Sequence, residues 1–430
     1  MKTDQIQKVH KDWYKLDLSA IVYPTLQRRD FSSVYRLSVL LKEDIDPEIL
    51  QRAVNLTMPR FPTYKAAIRK GVFWRYLEPN DRPGPFVQED VKNPCQPMHF
   101  KGNNRYLVRI YYYRNRIALE AHHSLGDGTG GMCVLQTLTA TYLRLKGHSE
   151  IENGGFVLDI LGIPDPGELE DAYMKYANAK VCPPRPGEKT YRVRGTKEPF
   201  YTLNIIDGIM SVSEVMQVAK SYNATITEYL NSVLLYALMQ KQESEWHLKL
   251  RPIKIAMPVN LRRFFPSRTL RNFITMIYPG IDPRLGEYTF EEIVTQVHNY
   301  MRYYLNEKLL RGDITTNAET QRNPFIRIVP LFIKDLVVRQ FYTKIQDKNS
   351  SAGLTNMGAL KVPETMKPYI ERFDIYMGQP FSTRTNCAIA SFEDILTINF
   401  ASSIAETDVE RLFFRKLVQD GIHVKIESNR

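Results

Sequence analysis

The stretch from residue 106 to residue 145 restricts the fold of this chain more than any other. Residues 106-YLVRIYYY-113 and 117-IALEAHH-123 are rich in β-formers, flank Arg-Asn-Arg, and predict a two-stranded hairpin. After His123 the chain reads SLGDGTGG, and beyond it Leu135, Leu138, Tyr142 and Leu145 recur at helical spacing. A strand therefore ends in two histidines and turns through glycines directly into a helix.

The same alternation of strand and helix runs through both halves. In the first, 34-VYRLSVLL-41 is β-like, and Asp46 followed by Pro47 predicts the start of a helix carrying Leu50, Ala53, Val54 and Thr57 before Pro59 stops it. In the second, Ser211-x-x-Glu214, Thr225-x-x-Glu228, Thr289-x-x-Glu292 and Thr407-x-x-Glu410 read as capping boxes opening helices, the last closed by Gly421. Strands are predicted at 253-IKIAMPVN-260, 387-CAIASF-392 and 395-ILTINFAS-402. The expected class is α/β with mixed sheets. A length of 430 residues is long for one core. The Pro-, Gly- and charge-rich run 181-VCPPRPGEKTYRVRGTKE-198 suggests a crossover between two lobes, residues 1–185 and 186–430.

Composition removes several classes. Hydrophobic content of 43% with 24% charge argues against disorder. No apolar run reaches the ~18 residues of a membrane span. The opening MKTDQIQKVHKDWYKLD shows no secretion-signal pattern, so a cytoplasmic protein is expected. Cys95, Cys133, Cys182 and Cys387 form no CxxC pair, which argues against a zinc framework and fits a reducing compartment. A net charge of +11 is compatible with nucleic acid, an acidic membrane or a polyphosphate ligand. The charge is mostly dispersed, however, and no RRM, KH or zinc-finger signature accompanies it, so no nucleic-acid partner is expected. An exception to the dispersal is 262-RRFFPSRTLR-271, where arginines alternate with aromatics.

For the histidine stretch several readings compete. Gly126, Gly128 and Gly131 fit GxGxxG between strand and helix, but Asp127 would place a negative side chain in a pyrophosphate loop. His122 and His123 are adjacent on a strand, so they point to opposite faces and do not share a metal ion. A tight turn with incidental histidines is the plain alternative. A neutral imidazole aimed into a cleft, acting as a base on an alcohol or amine, accounts for more of the residues. No GxSxG elbow is present, and Cys133 reads as a small core residue.

Residues 122-HHSLGDG-128 resemble the HHxxxDG motif of the chloramphenicol acetyltransferase-like superfamily, which includes plant BAHD acyltransferases, alcohol acetyltransferases, wax ester synthases, polyketide-associated acyltransferases and peptide-synthetase condensation domains. The resemblance extends along the chain. Residues 257-MPVNLRRF-264 are similar to the segment whose arginine pairs with the motif aspartate, and 268-RTLRNFITMIYPGID-282 to a "G-x-F-x-N" loop and strand. Residues 354-LTNMGAL-360 resemble a tunnel-lining "S-N-x-G" strand, with Thr355 in the serine place. In 374-DIYMGQP-380 only Asp374, Gly378 and Pro380 coincide with the plant DFGWGKP.

The resemblance implies two similar lobes with an active-site tunnel between them, as in a stand-alone acyltransferase of the alcohol acetyltransferase-like group. His123 is then the general base, with His122, Asp127, Gly128 and Arg262 supporting it. Thr355 and Asn356 would line the tunnel, and Arg263, Arg268 and Arg271 would meet the phosphates of coenzyme A. The implied co-substrate is acyl-CoA or an acyl-phosphopantetheine, with an alcohol or amine acceptor, no permanent cofactor, no metal, no covalent intermediate, and a monomer. A condensation enzyme dependent on an acyl carrier protein, and a catalytically silent binding protein of the same fold, are the alternatives.

Overall fold

A computed structural model of the chain describes residues 13–27, 31–179, 189–199, 202–245, 247, 249–344, 349–378 and 383–430. The boundary read at residue 185, Cys182 and Pro380 lie outside these.

Two mixed sheets organise the molecule. The first runs Ile370–Met377, Val34–Leu41, Arg116–His122, Val108–Tyr113, Val87–Glu89. The second runs Ile274–Ile277, Ile253–Asn260, Ala352–Ala359, Thr385–Phe392, Ile395–Ser402, Asn204–Ser211, Lys425–Ser428, with Gly280–Ile281 beside Ile253–Asn260. The expected hairpin is antiparallel, with Tyr113 opposite Arg116 and Val108 opposite Ala121. Its second strand is central to the first sheet and all but its first residue is buried, one face carrying Ile117, Leu119 and Ala121 and the other Ala118 with the buried polar Glu120 and His122.

Local signals set most helix starts. Asp46 accepts from the Glu48 and Ile49 amides and caps Pro47–Thr57, whose buried face is Leu50, Ala53, Val54 and Thr57. Thr225/Glu228 and Thr289/Glu292 form reciprocal capping boxes opening Ile226–Ser244 and Phe290–Tyr304. Two boxes are corrected. Ser211 accepts from the Glu214 amide, but the Glu214 carboxylate turns to His423. At Thr407 no side-chain cap forms, because Glu410 is buried and accepts from Thr385.

The strand Ile370–Met377 comes late in the chain yet pairs antiparallel with Val34–Leu41 of the first sheet. It also meets the second sheet through polar contacts: Ile375 N donates to Asn399 Oδ1 at 3.0 Å, Thr397 Oγ1 to the Phe373 carbonyl at 2.8 Å, and Tyr376 Oη to Asp207 Oδ2 at 2.9 Å. The two sheets are thereby tied along one strand. Two large apolar cores form, one built on Leu37, Leu119, Leu135 and Tyr64 and reaching Ala390 and Phe392 of the second sheet, the other on Leu234, Ile255, Phe400 and Phe413. Among the described residues no helix is long and apolar enough to cross a membrane.

Candidate active site

The turn after the histidines is built around Asp127. Its Oδ1 accepts from the amides of Thr129 and Gly130 at 3.1 and 3.2 Å, capping the helix Gly128–Leu145. Its Oδ2 accepts from Arg262 Nη1 at 2.8 Å and from the Phe273 amide at 2.9 Å. Arg262 in turn donates to the Thr269 carbonyl at 2.9 Å, to the Arg271 carbonyl and to Asn260 Oδ1. Asp127 is buried and Arg262 largely so, and most of their polar atoms are matched, as an ion pair withdrawn from water requires. Asn260 Nδ2 adds a bond to Thr129 Oγ1 at 3.2 Å. The motif turn is thus fastened to residues 260–273 of the other half.

The glycines serve this contact. A Cβ on Gly130 would lie 1.9 Å from the Leu270 carbonyl oxygen, and one on Gly126 2.4 Å from the same atom. Only glycine lets the two segments approach this closely. Gly128 faces Met357 of the Ala352–Ala359 strand, with its Cβ position 3.0 Å from the sulfur. The first-turn amides of Thr129 and Gly130 that a pyrophosphate loop would offer to phosphate are instead taken by Asp127 Oδ1.

The two histidines occupy different surroundings. His122 is wholly buried, edge-on to Phe100 at 5.4 Å, and its Nδ1 accepts from the Ser124 amide at 3.2 Å. That bond makes Nε2 the protonated nitrogen of a neutral ring. Burial, reinforced by His123, pushes its pKa down to about 3.

His123 keeps partial exposure. Its ring stacks on Tyr23 at 4.7 Å and 20°, and lies 4.6 Å from the Tyr35 ring. Its backbone is held at both ends, N–H to the Ser33 carbonyl at 2.8 Å and C=O from Asn272 Nδ2 at 2.9 Å. Burial lowers its pKa to about 4 against the opposing charge of Asp127. The ring is therefore neutral at pH 7, with Nδ1 buried and the Asn272 side chain beside the ring favouring its protonated form.

The remaining predicted residues separate. Thr355 is half-buried, on the strand whose Met357 packs toward Gly128. Asn356 faces the opposite way: its Nδ2 donates to Thr227 Oγ1 at 2.8 Å and its Oδ1 accepts from the Gly358 amide at 2.7 Å. Its Nδ2 is thus turned toward the helix Ile226–Ser244. Arg263 is exposed beside Gly358, and Arg268 is exposed with Asp165 at 3.6 Å. Arg271 is corrected: it is buried, 3.7 Å from Asp17, and donates to the carbonyls of Lys15 and Leu169, so it is not open to a phosphate.

Nucleophilic thiol chemistry finds no support here. Burial pushes Cys133 up to about 12, and its Sγ donates to the Phe156 carbonyl. Among the described residues no three His, Cys, Asp or Glu side chains gather as a metal site.

The sequence matches no family model, and no curated protein was found to match it. In three dimensions it is similar to the Fusarium sporotrichioides protein TRI101, complexed with coenzyme A and T-2: TM-score 0.63, 12% identity, covering 96% of this chain and 100% of that one. The starter condensation domain of rhizomide synthetase RzmA, in complex with C8-CoA, gives 0.59 at 12% identity, covering 98% and 100%. The wax ester synthase/diacylglycerol acyltransferase of Marinobacter aquaeolei VT8 gives 0.52 at 13%, covering 95% and 100%. The chain has the two-lobed condensation-domain fold.

Within that fold the structure adds residues that sequence reading passed over. Tyr23 and Tyr35 clasp the His123 ring. Tyr35 Oη also donates to the Asp127 carbonyl at 3.1 Å. Asp17 is buried, accepts from the Ala20 amide at 2.8 Å and from Asn272 Nδ2 at 3.1 Å, and so orients the asparagine that holds His123. None of these lies near the motif in sequence except by folding. Asn272 alone left a trace, inside the stretch 268–282.

Proposed function

We propose that this protein is an acyltransferase that moves an acyl group from a coenzyme A or phosphopantetheine thioester to an alcohol or amine. The observation that carries the reading is the His123 ring: neutral, partly exposed at a strand end, clasped by two tyrosines, on a turn locked by Asp127 and Arg262. With Nδ1 buried, Nε2 is the nitrogen left to an incoming acceptor. It takes the acceptor proton as oxygen or nitrogen bonds to the thioester carbonyl carbon. The tetrahedral intermediate then expels the thiolate as the C–S bond breaks, and the proton passes from His123 to sulfur. The Asp127 carboxylate favours the transient imidazolium. General-base action supplies about 10²–10⁴-fold, and positioning in a tunnel between the lobes supplies more. No acyl-enzyme is formed.

His122 supports the strand end from its buried side. Thr355 lines the acceptor or acyl path, and Arg263 and Arg268 attract the donor's phosphates. Asp127, Gly128 and Arg262 are structural. The fold of this chain, shared with proteins crystallised with coenzyme A and C8-CoA, supports a CoA-type donor.

The test is thiol release from a panel of acyl-CoAs with mixed alcohols and amines, wild type against His123→Ala. Acceptor-dependent release lost in the folded variant is expected. No release with any pair, from folded wild-type protein, would overturn free acyl-CoA as donor and leave carrier-bound thioesters to be tried in the same assay.

A further inference from the structure

Far from the histidines in sequence, the structure exposes an apolar helical segment. Residues 324–344, PFIRIVPLFIKDLVVRQFYTK, fold as Pro324–Ile328 and Leu331–Lys344. A surface helix normally buries its apolar stripe. Here the polar side is turned inward. Asp335 accepts from Arg75 at 2.8 and 2.5 Å and from Thr25 Oγ1 at 2.9 Å, and Lys334 Nζ donates to the Phe73 carbonyl at 2.9 Å. Apolar side chains are turned out from both: Phe325 and Ile328 on the first, and Phe332 and Leu336 on the second, are 78, 68, 73 and 60% exposed. The strands Ala66–Lys70 and Arg75–Pro79 pair antiparallel as a second hairpin, whose tip Val72-Phe73-Trp74 lies alongside, also exposed, with Leu331 N donating to the Val72 carbonyl at 2.8 Å.

We propose that this face docks on an anionic lipid surface. Large clustered apolar exposure marks an interaction site. The charges around it choose the partner. Among residues 324–344 the basic Arg327 and Arg339 are exposed, against Asp335, which Arg75 already neutralises. Lys70 borders the hairpin tip, and the whole chain carries +11. Aromatic and aliphatic residues beside basic ones are the composition of a helix lying in a membrane interface. The outward set Phe325, Ile328, Phe332 and Leu336 offers no hydrogen-bonding group, whereas protein interfaces carry about one hydrogen bond per 100–200 Å². Acyl chains ask for none.

The face is wired to the candidate site. Thr25 bonds both Arg75 and Asp335, and its carbonyl accepts from Arg339 at 3.3 Å. Two residues earlier on the same short helix, Tyr23–Leu26, the Tyr23 ring stacks on His123. Docking therefore holds the base close to the lipid surface and favours a lipid-borne alcohol as acceptor. That last clause rests on the acyltransferase reading; the docking does not.

The experiment is co-sedimentation of the full chain with phosphatidylcholine vesicles, with and without phosphatidylglycerol, for wild type, Phe332→Ser/Leu336→Ser and His123→Ala. Wild type and His123→Ala are expected to pellet with the anionic vesicles and to be released by salt. The double variant should bind about tenfold more weakly or less, with unchanged melting temperature and unchanged thiol release on soluble substrates. Wild type remaining in the supernatant would overturn the proposal. So would gel filtration showing a dimer that the double variant dissociates, since the face would then cover a second copy. Vesicle binding without thiol release would retain the docking and count against the catalytic reading alone.

Discussion

Asp127 and Arg262, 135 residues apart in sequence, meet at 2.8 Å in a largely buried ion pair that joins the motif turn to the opposite half of the molecule. Removing one member leaves the other charged and buried. Asp127→Ala or Arg262→Ala should therefore cost about 3–5 kcal/mol of stability. Urea denaturation monitored by tryptophan fluorescence reads this directly, and a loss below about 1 kcal/mol would contradict the pair's structural role.

The histidines should part company on mutation. His123→Ala leaves a folded protein with acyl transfer reduced by about 10²–10⁴-fold. His122→Ala opens a cavity in a fully buried position and should lower stability by about 1–3 kcal/mol. Melting curves beside thiol-release rates separate the two effects; an active His123→Ala would dismiss it as the base.

Acid should act on both rings. Unfolded histidine titrates near 6.5, whereas His122 and His123 titrate at about 3 and about 4 in the fold. Between those values the unfolded chain binds more protons, so stability falls as pH drops below about 6.5 and levels off once the folded rings also protonate. Above 6.5 the histidine contribution is constant. The acid limb of kcat/KM should likewise lie well below 6.5. A pH profile with half-maximal rate at 6.5 would show that His123 is not held neutral by burial.

Glycine at 130 is predicted to be irreplaceable, since a Cβ there would lie 1.9 Å from a backbone oxygen that cannot swing aside. Gly130→Ala should cost more than about 3 kcal/mol. Gly128→Ala meets the flexible end of Met357 and should cost far less. Comparable melting points for the two variants would mean that the close approach of residues 126–130 to Leu270 is not a constraint.

Among the arginines, Arg263→Ala and Arg268→Ala should leave the melting temperature unchanged and raise KM for an acyl-CoA roughly three- to tenfold. Arg271→Ala should instead lose stability, because Asp17 would stay buried without its cation. Steady-state kinetics with acyl-CoA varied, paired with thermal melts, distinguishes the roles.

Legibility in the sequence followed the range of the interaction. The reciprocal boxes at Thr225/Glu228 and Thr289/Glu292 are closed within four residues, so their pattern suffices. Thr407/Glu410 has the same pattern, yet Glu410 points to Thr385 in the core, where burial raises its pKa to about 7. Arg262, Arg263, Arg268 and Arg271 sit in one ten-residue run. Which of them is buried depends on Asp127 and Asp17 arriving from elsewhere. Asn356 and Thr355 are neighbours whose fates diverge because a strand sends alternate side chains to opposite faces.

By itself, then, the sequence determined the hairpin, the helix that follows it and the glycine turn between them, because β-propensity, periodicity and backbone freedom act over a few residues. Tertiary structure alone decided that Ile370–Met377 crosses into the first sheet, that Tyr23 and Tyr35 clasp His123, and that an apolar helix faces outward from an Arg75–Asp335 anchor. Those arrangements depend on partners tens to hundreds of residues away, and no local pattern records a partner that only folding brings near.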